Sequence, residues 1–435
     1  MNPLYNAAIK LYAGAVRLAS LNSVKARNML KGQNETLERL ARFRRDYAPD
    51  GFDVWFHAAS LGEFEQARPL IDRLKAERPD TKILVSFFSP SGYEVRCNYP
   101  GVAVVYLPFD TPTAVKAFLD IAQPRMAVFV KYEFWGNYLS ELERRSIDTY
   151  IISAIFRPGQ IFFRKTGSGM FRAILAKFKR LYVQDERSRK LLKNIGIENV
   201  TVAGDTRFDR VSEVKSNALE LPEIDCFMSA QPQAFTLVAG SSWPKDEEVY
   251  FPWLKAHPDV RAIIAPHEFD STRLSDLHKS LGREESMLLS EFKRTYADSP
   301  DYAASRARSL RYLIIDCFGL LSSLYRYADA AYVGGGFGVS IHNINEAAVY
   351  GIPVLFGPEH KKFNEAAALI TCGGAFCVHS KDETAKILDR LHTDSNFRTQ
   401  AGVAADKYIR SNIGASAIIL NDLFNIKPKQ TPLND

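Results

Sequence analysis

Residues 332–357 read YVGGGFGVSIHNINEAAVYGIPVLFG. In this stretch an apolar strand runs into glycines, a helical segment with a carboxylate follows, and a second apolar strand comes next. Glycine permits backbone angles closed to other residues and lets a ligand approach the main chain, and the N–H groups at a helix start suit phosphate. Glu346 lies inside the helical segment, where its carboxylate can accept hydrogen bonds from ribose hydroxyls. This order of features predicts that the chain holds a nucleotide as α/β proteins do.

The same alternation of apolar runs and amphipathic segments occupies two parts of the chain. The runs are 54–57, 83–88, 102–107, 126–130, 149–153, 181–184 and 200–203, then 235–239, 262–265, 312–315, 330–333 and 353–356. Runs of this kind indicate buried parallel strands, and 435 residues are too many for one ordinary core. The chain is therefore predicted to be an α/β protein with two Rossmann-like domains, residues 49–214 and 235–396.

The remaining segments complete the predicted domain plan. Residues 215–234 carry Pro222 and Pro232 with little periodicity, and they are the predicted linker, with the ligand cleft beside it. Residues 397–435 are predicted to be helices that pack back towards the first domain. Residues 1–48 form a separate N-terminal segment.

That segment differs from the rest of the chain in charge. Its first 45 residues hold nine Lys or Arg against two Glu, whereas bases and acids nearly cancel elsewhere. From Leu4 to Ala19 apolar residues recur at helical spacing, with Lys10 and Arg17 on another side. Its uncharged runs are too short to span a bilayer, and the two bases interrupt what would be the apolar core of a signal peptide. We predict an amphipathic helix that associates with anionic lipid; the alternative is a helix packed on the protein.

Composition narrows the class of protein. With 46% hydrophobic and 24% charged residues, it is that of a globular protein. The five cysteines are scattered and odd in number, which is typical of free thiols in a reducing compartment. The eight histidines have no spacing that suits zinc, so no metal site and no cofactor are expected. Nucleic-acid binding is not expected either, because the basic residues lack interleaved aromatics.

Two carboxylates follow predicted strands in the first domain. Glu63 follows the strand 54–57 and begins a helix, and Glu133 lies between Tyr132 and Trp135 after the strand 126–130. Loops at the carboxyl ends of parallel strands bind ligands in α/β proteins. Glu63 is a candidate base, and a helix start is expected to keep it ionised at neutral pH. The alternative is a first-turn Glu that only complements the helix dipole.

In the second domain, polar or glycine-rich segments follow several predicted strands. They include Ser241 and Ser242, Pro266 and His267, and the tripeptide Phe318, Gly319 and Leu320. Gly240-Ser241-Ser242 is a candidate phosphate cradle. All of these segments are expected on one rim of the second sheet.

Six motifs in order then carry a resemblance that covers about residues 4 to 425. They are HAASLGE at 57–63, KYEFW at 131–135, GDTRFD at 204–209, GSS at 240–242, IAPH at 264–267, and HNINE at 342–346 followed by KFNEA at 362–366. In these motifs the chain resembles the 3-deoxy-D-manno-octulosonate (Kdo) transferases of lipopolysaccharide biosynthesis.

The resemblance implies a fold, a reaction and a location. The fold is GT-B, with two facing Rossmann-like domains, acceptor on the first and donor on the second. The reaction is metal-independent, inverting transfer of Kdo from CMP-Kdo to a lipid A precursor like lipid IVA, in assembly of the lipopolysaccharide core. The location is the cytoplasmic face of the bacterial inner membrane, where the N-terminal segment is expected to contact anionic lipid.

The resemblance also implies roles for individual residues. Glu63 is the general base, and Glu133 and Arg207 stabilise the transition state. The implied CMP contacts are Pro266, His267, Phe318, Gly319, Leu320, Asn343, Ile344, Asn345 and Glu346. Ser241 and Ser242 of the candidate cradle are predicted to contact CMP with them. Three positions depart from the family pattern: His267 stands where Arg is common, Leu320 where Glu is frequent, and Arg207 where Lys is usual.

Two other functions remain open on the sequence. One is a GT-B glycosyltransferase that uses a UDP-sugar as donor. The other is a membrane-recruited nucleotide-binding protein without catalysis. They differ in which nucleotide stabilises the protein and in whether Glu63 is needed for anything beyond stability.

Overall fold

The computed structural model of the protein describes residues 3–427 and divides into two compact units. The first unit joins the chain up to Arg210 to the segment that begins at Ile413, and the second comprises Val211–Asn412. The chain therefore passes between the units twice.

The first unit contains a parallel sheet of seven strands. The strands are β1 Val54–Ala58, β2 Ile83–Phe87, β3 Ala103–Tyr106, β4 Met126–Val130, β5 Asp148–Ala154, β6 Arg180–Val183 and β7 Val200–Val202. Their order in the sheet is β3-β2-β1-β4-β5-β6-β7. Every residue of β1, β2 and β3 is buried because helices cover both faces of the sheet. The order reverses between β1 and β4, and a sheet of this kind binds ligands at that point.

Helices connect these strands and frame the unit. They are α1 Pro3–Ala19, α2 Val24–Asp46, α3 Leu61–Glu77, α4 Pro90–Arg96, α5 Pro112–Ala122, α6 Gly136–Arg144, α7 Gly169–Leu175, α8 Glu186–Lys193 and α9 Thr206–Ser216. Helix α9 begins in the first unit and ends in the second. A 3₁₀ turn covers Ile161–Phe163.

The second unit repeats the parallel arrangement. Its strands are β8 Phe235–Ser242, β9 Val260–Pro266, β10 Ser286–Leu288, β11 Tyr312–Ile314, β12 Ala330–Val333, β13 Val354–Phe356 and β14 Ala375–Cys377. Their order is β10-β11-β9-β8-β12-β13-β14, and it reverses between β8 and β12. The prediction of an α/β protein with two Rossmann-like halves is confirmed.

The helices of this unit include one within the predicted linker. They are α10 Pro222–Ser229, α11 Pro244–Ala256, α12 Ser271–Leu281, α13 Leu289–Asp298, α14 Pro300–Ala307, α15 Leu321–Leu324, α16 Asn345–Ala348, α17 Asn364–Cys372, α18 Lys381–Thr393 and α19 Ser395–Asn412. A 3₁₀ turn covers Tyr325–Tyr327. The predicted linker contains α10, whose Ile224 and Phe227 are fully buried.

The tail is divided between the units. Helix α19 lies in the second unit, whereas α20, Ala415–Phe424, packs on α3 of the first. Asp209 holds the start of α20, because its carboxylate accepts hydrogen bonds from the backbone N–H groups of Gly414 at 2.7 Å and Ser416 at 2.8 Å.

Helix α1 contacts the first unit through one side only. Tyr5 Oη donates to Asp110 Oδ2 at 2.6 Å and accepts from Gly136 N at 2.9 Å. On the opposite side an apolar stripe faces outward, with Leu4, Leu11 and Leu18 exposed to 77%, 76% and 72%. No helix within residues 3–427 combines the length and the apolar composition that crossing a bilayer requires.

Candidate active site

Glu63 and Glu133 lie at the carboxyl ends of two neighbouring strands in the first unit. Glu63 is in the first turn of α3, directly after β1, and Glu133 follows β4, which pairs with β1. The backbone N–H of Ala59 donates to Glu63 Oε2 at 2.6 Å and fixes the carboxylate above the strand end. Lys131, between β4 and Glu133, has a left-handed backbone with φ 62°, which is uncommon for a residue with a side chain.

The charge state of Glu63 differs from the sequence prediction. A helix start was expected to keep this carboxylate ionised, but burial and the nearby Glu133 raise the pKa of Glu63 to about 7. The Ala59 N–H and Lys131 act in the opposite direction and do not outweigh them. The prediction was wrong because removal from water penalises a carboxylate more than the helix end favours it. A base with a pKa near the working pH is well matched to general base catalysis.

Glu133 is almost completely buried and receives two side-chain hydrogen bonds on one oxygen. Trp135 Nε1 lies 2.5 Å from Glu133 Oε2, and His57 Nε2 lies 2.9 Å from the same atom. Trp135 Nε1 is also 3.2 Å from His57 Nε2, so the three groups form one cluster. An indole N–H can only donate, which favours the ionised form of the carboxyl.

Arg207 is held by the residue two positions before it. Its Nε and Nη2 lie 2.9 Å and 2.7 Å from Asp205 Oδ2. Burial opposes ionisation of Asp205, but the charge and hydrogen bonds of Arg207 prevail and hold the pKa of Asp205 below its usual value. Gln66 Nε2 donates to Asp205 Oδ1 at 3.0 Å, so the helix that carries Glu63 also orients this ion pair.

The structure brings the three predicted catalytic side chains into one electrostatic environment. Glu133 acts on Glu63. Burial raises the pKa of Tyr132 and Glu63 raises it further, whereas Arg157 and Arg207 lower it, so the charges of Glu63 and Arg207 both act on its hydroxyl. Glu63, Glu133 and Arg207 therefore share one region at the carboxyl edge of the first sheet.

In the second unit, the predicted CMP contacts follow the ends of adjacent strands. Ser241 and Ser242 end β8, Pro266 ends β9, Phe318 to Leu320 follow β11, and Asn343 to Glu346 follow β12. Stacked rings connect them: the ring centroid of His267 lies 4.4 Å from that of Trp243 and 4.6 Å from that of His342. This stack adjoins a cavity of about 620 Å³ that Lys245, Val339 and Phe363 also line.

The side chains of the two serines have different environments. Ser242 is buried, and its hydroxyl lies 3.0 Å from Glu247 Oε1 and 2.8 Å from Tyr250 Oη, so it is committed to the fold. Ser241 has a left-handed backbone with φ 52° and is partly exposed. Of the two hydroxyls, the structure leaves Ser241 as the one open to a ligand.

The glycines after β12 allow close approach between protein segments. A Cβ on Gly334 would lie 2.2 Å from the carbonyl oxygen of Ser241, and one on Gly336 would lie 2.5 Å from Gly357 N. Gly335 has φ 91° and donates its N–H to Asp246 Oδ2 at 2.8 Å. The sequence predicts that these glycines let a ligand approach the main chain. At Gly334 and Gly336 the reason for glycine is instead the close packing of neighbouring strand ends.

The helical segment with Glu346 is shorter than the pattern suggested. Helix α16 has four residues, so its dipole is small. Asn343 Nδ2 donates to Glu346 Oε1 at 3.0 Å, which orients the carboxylate. Asn345 is fully buried, and neither polar atom of its amide has a hydrogen-bond partner among the described residues.

The remaining predicted contacts are more open. Phe318 is 83% exposed, and its ring centroid lies 4.5 Å from that of Phe269. Gly319 has φ 88°, which favours glycine at that position, and Leu320 precedes α15. Ile344, by contrast, is buried, and it directly precedes α16.

Sequence reasoning missed several residues that shape the two sites. His57 and Trp135 lie within the quoted motifs but were given no role, and Asp205 and Trp243 were not considered as partners of Arg207 and His267. Their pairing across strand ends has no signal in sequence spacing. Within residues 3–427 no cluster of three or more His, Cys, Asp or Glu is arranged to hold a metal ion.

Comparison with known proteins gives consistent matches. The family model described as 3-deoxy-D-manno-octulosonic-acid transferase (Kdo transferase) matches residues 32–210. A 3-deoxy-D-manno-octulosonic acid transferase of Rickettsia bellii is 25% identical over 354 residues, which cover 80% of this chain and 81% of the relative. One of Chlamydophila psittaci is 28% identical, with 78% and 77% covered.

Solved structures support the fold alone. A putative UDP-N-acetylglucosamine 2-epimerase from Listeria monocytogenes superposes with a TM-score of 0.57 at 12% identity, covering 86% of this chain and 96% of the epimerase.

Proposed function

The chain belongs to the Kdo transferase family of glycosyltransferases, and we propose that it transfers Kdo from CMP-Kdo to a lipid A precursor like lipid IVA. The reaction proceeds with inversion and without a divalent metal, in assembly of the lipopolysaccharide core. The observation that carries the proposal is Glu63 itself: a partly buried carboxylate at a strand end, beside a second carboxylate, with a pKa raised to about 7.

In the proposed reaction Glu63 is the general base. Its carboxylate takes the proton from an acceptor hydroxyl, the hydroxyl oxygen forms a bond to the anomeric carbon of Kdo, and the bond from that carbon to the phosphate oxygen breaks. CMP leaves with the electron pair of that bond. A single base on the acceptor side is what one displacement with inversion requires.

The charges of Glu133 and Arg207 serve the transition state in this proposal. The anomeric carbon gains positive character as the leaving group departs, and a fixed carboxylate such as Glu133 stabilises it. Arg207 is oriented by Asp205 and supplies positive charge for the departing phosphate. Preorganised charges of this kind need no reorganisation during the reaction.

The second unit binds the donor in the proposal. Glu346, oriented by Asn343, accepts from the ribose hydroxyls, and the buried amide of Asn345 is available for a further hydrogen bond. The rings of Trp243, His267 and His342 form a surface on which a base or sugar can pack. His267 stands in place of the usual Arg, so the phosphate is met by an imidazole at this position.

Helix α1 places the protein on the lipid that presents the acceptor. The outward apolar stripe of Leu4, Leu11 and Leu18 enters the interface, while Lys10 and Arg17 are exposed beside it and attract anionic lipid. The proposed location is the cytoplasmic face of the inner membrane, held peripherally. Tyr5 links the helix to the start of α6, next to Trp135.

A turnover assay tests the proposal. Purified protein is incubated with a lipid A precursor and with CMP-Kdo or a UDP-sugar, with and without excess EDTA. The mass of the lipid product is then measured by mass spectrometry. We expect a mass increase of one or more Kdo residues with CMP-Kdo only, unaffected by EDTA. Transfer from a UDP-sugar would support the other glycosyltransferase class, and nucleotide binding without any product would support the non-catalytic alternative.

A further inference from the structure

Glu133 ends a chain of hydrogen bonds that begins in the core of the first unit. Trp55 Nε1 lies 2.8 Å from Ser86 Oγ, Ser86 Oγ lies 2.9 Å from His57 Nδ1, and His57 Nε2 lies 2.9 Å from Glu133 Oε2. Trp55, His57 and Ser86 are fully buried. His57 and Ser86 are neighbours because β1 and β2 pair in parallel with these two residues opposite each other.

The direction of each hydrogen bond follows from the chemistry of its groups. The indole of Trp55 can only donate, so Ser86 Oγ accepts from it and has its own proton left for His57 Nδ1. An imidazole that accepts at Nδ1 carries its proton on Nε2, and that N–H points at Glu133.

A second arrangement uses the backbone of Ser86. The carbonyl oxygen of Ser86 lies 3.1 Å from His57 Nδ1 and can only accept. If Nδ1 of a neutral ring donates to it, Nε2 is an acceptor, and Trp135 Nε1 lies 3.2 Å from it. In the first arrangement, or in an imidazolium ion, His57 presents an N–H to Glu133.

Trp135 donates to the same carboxylate oxygen from the other side. Two N–H groups thus converge on Glu133 Oε2, and ring contacts hold both donors in place: the ring centroid of His57 lies 5.6 Å from that of Phe129, and that of Trp135 lies 4.8 Å from that of Phe88. Two fixed partners hold the Glu133 carboxylate in one orientation.

We propose that His57 and Trp135 are positioning residues that hold the Glu133 carboxylate at the strand end beside Glu63, so that its charge acts on the base. The inference rests on the proposed function of Glu63. It adds to that function a set of residues that touch neither the acceptor nor the donor.

The groups around the two carboxylates support this arrangement. Glu63 is partly buried. Its partial burial and the charge of Glu133 raise its pKa to about 7, whereas the Ala59 N–H and Lys131 lower it. Glu133 faces His57, Trp135 and also Tyr12 of α1, whose own pKa is raised by burial and by Glu133. The effect on Glu63 is lost if Glu133 takes up a proton.

A site-specific titration tests the proposal without any substrate. Glutamate labelled with ¹³C in the side-chain carboxyl is incorporated, and the Glu63 resonance is identified as the one missing from Glu63→Gln. We expect a midpoint near pH 7 in the wild type. Glu133→Gln, Trp135→Phe and His57→Leu should each lower it by about one pH unit, as loss of a nearby like charge does.

Two variants separate this role from a purely structural one. His57→Gln keeps an N–H donor where Nε2 stands, so its midpoint should stay near that of the wild type. Trp135→Phe changes a partly exposed side chain and tests the proposal even if the fully buried His57→Leu does not fold.

The same variants are then compared in the pH dependence of kcat/KM, whose acid limb should move with the titration. An unchanged midpoint in Glu133→Gln, or an equal shift in His57→Gln and His57→Leu, overturns the proposal. The Glu63 midpoints can move as expected while neither the wild type nor any variant transfers Kdo. In that case the proposed function fails, but the effect of Glu133 on Glu63 is confirmed.

Discussion

The first unit surrounds its candidate residues with fixed side chains, whereas the second surrounds its own with backbone and rings. Glu63, Glu133 and Arg207 each have a hydrogen-bonded partner in the core of the first unit. The candidate site of the second unit has few charged side chains. It consists of Gly335, the His267 stack and the four-residue helix with Glu346.

The difference assigns separate tasks to the two units. Proton transfer and charge stabilisation need side chains of defined protonation state, and burial of the carboxylates supplies that state. Nucleotide binding needs shape, ring surfaces and a few acceptors. Changes in the first unit should therefore alter turnover and its pH dependence, and changes in the second should alter donor affinity.

The largest effect should come from Glu63→Gln, which keeps the shape of the side chain and removes the base. Turnover should fall on the order of a hundredfold or more, while CMP affinity stays unchanged. Glu65→Gln is the matched control two residues away, because Glu65 pairs with Arg68 and Arg96 on the side of α3. Steady-state kinetics and calorimetric titration with CMP measure both quantities; equal loss of activity in Glu65→Gln would contradict the assignment.

The second effect should be confined to donor binding. Glu346→Ala removes a charged acceptor for the ribose hydroxyls, which is worth about 1.5–3 kcal/mol, or roughly a tenfold to hundredfold loss in CMP affinity. Turnover at saturating donor should change little. Glu248→Gln, an exposed carboxylate on α11, serves as the control. A fall in turnover with unchanged affinity would break the proposed division of tasks.

The third effect is on membrane binding through α1. Replacing Leu11 and Leu18 together by Ser should lower binding to anionic vesicles by roughly tenfold or more, because each leucine side chain contributes about 1.5 kcal/mol or more when buried. Activity on detergent-dispersed acceptor should be retained. Point variants are preferable to deletion of α1, because Tyr5 also supports Asp110 and Gly136.

Val403→Ser, on an exposed apolar residue of the second unit, is the matched control for vesicle binding. High salt should weaken binding of the wild type, since part of the attraction is electrostatic. Vesicle binding that is unchanged in the double variant would show that the stripe is not the membrane contact.

A smaller effect links the base to stability. The folded-state pKa of Glu63, about 7, lies above that of an unfolded glutamate, so its contribution is favourable at low pH and is lost as the pH rises through 7. Glu63→Gln removes this loss, and the variant should be more stable than the wild type at pH 8 by on the order of 2 kcal/mol, with a smaller difference at pH 5. Urea unfolding at the two pH values measures it; a variant that is less stable at pH 8 would contradict the pKa.

Much of this arrangement is predictable from the sequence, and the exceptions have physical causes. Apolar strands such as β1 and β4 are visible as runs, whereas β10 and β14, the two edge strands of the second sheet, lie outside the predicted runs. Glu63 and Glu133 were found from their places after strands. Their surroundings could not be, because the His57 pair with Ser86 depends on the register of two strands that lie 29 residues apart at this position.

The charge state of the base depends on the same non-local packing. A position at a helix start is readable from sequence and favours ionisation, but burial is a property of the assembled unit and it outweighs the helix end at Glu63. The apolar stripe of α1 is readable too, although only the structure shows that Tyr5 and Asn6 form the side that contacts the protein and that the stripe faces outward.

The proposed function depends on one partly buried carboxylate, Glu63 with a pKa of about 7, as the base for Kdo transfer. Its most direct test is the single-turnover rate with saturating CMP-Kdo and lipid A precursor, measured from pH 5 to 9. We expect the wild-type rate to rise tenfold per pH unit below a midpoint near pH 7 and to level off above it. In Glu63→Gln the rate should be low and should lack this rise. A wild-type rate that is independent of pH across this range, or a Glu63→Gln variant with the same profile and height, would contradict it.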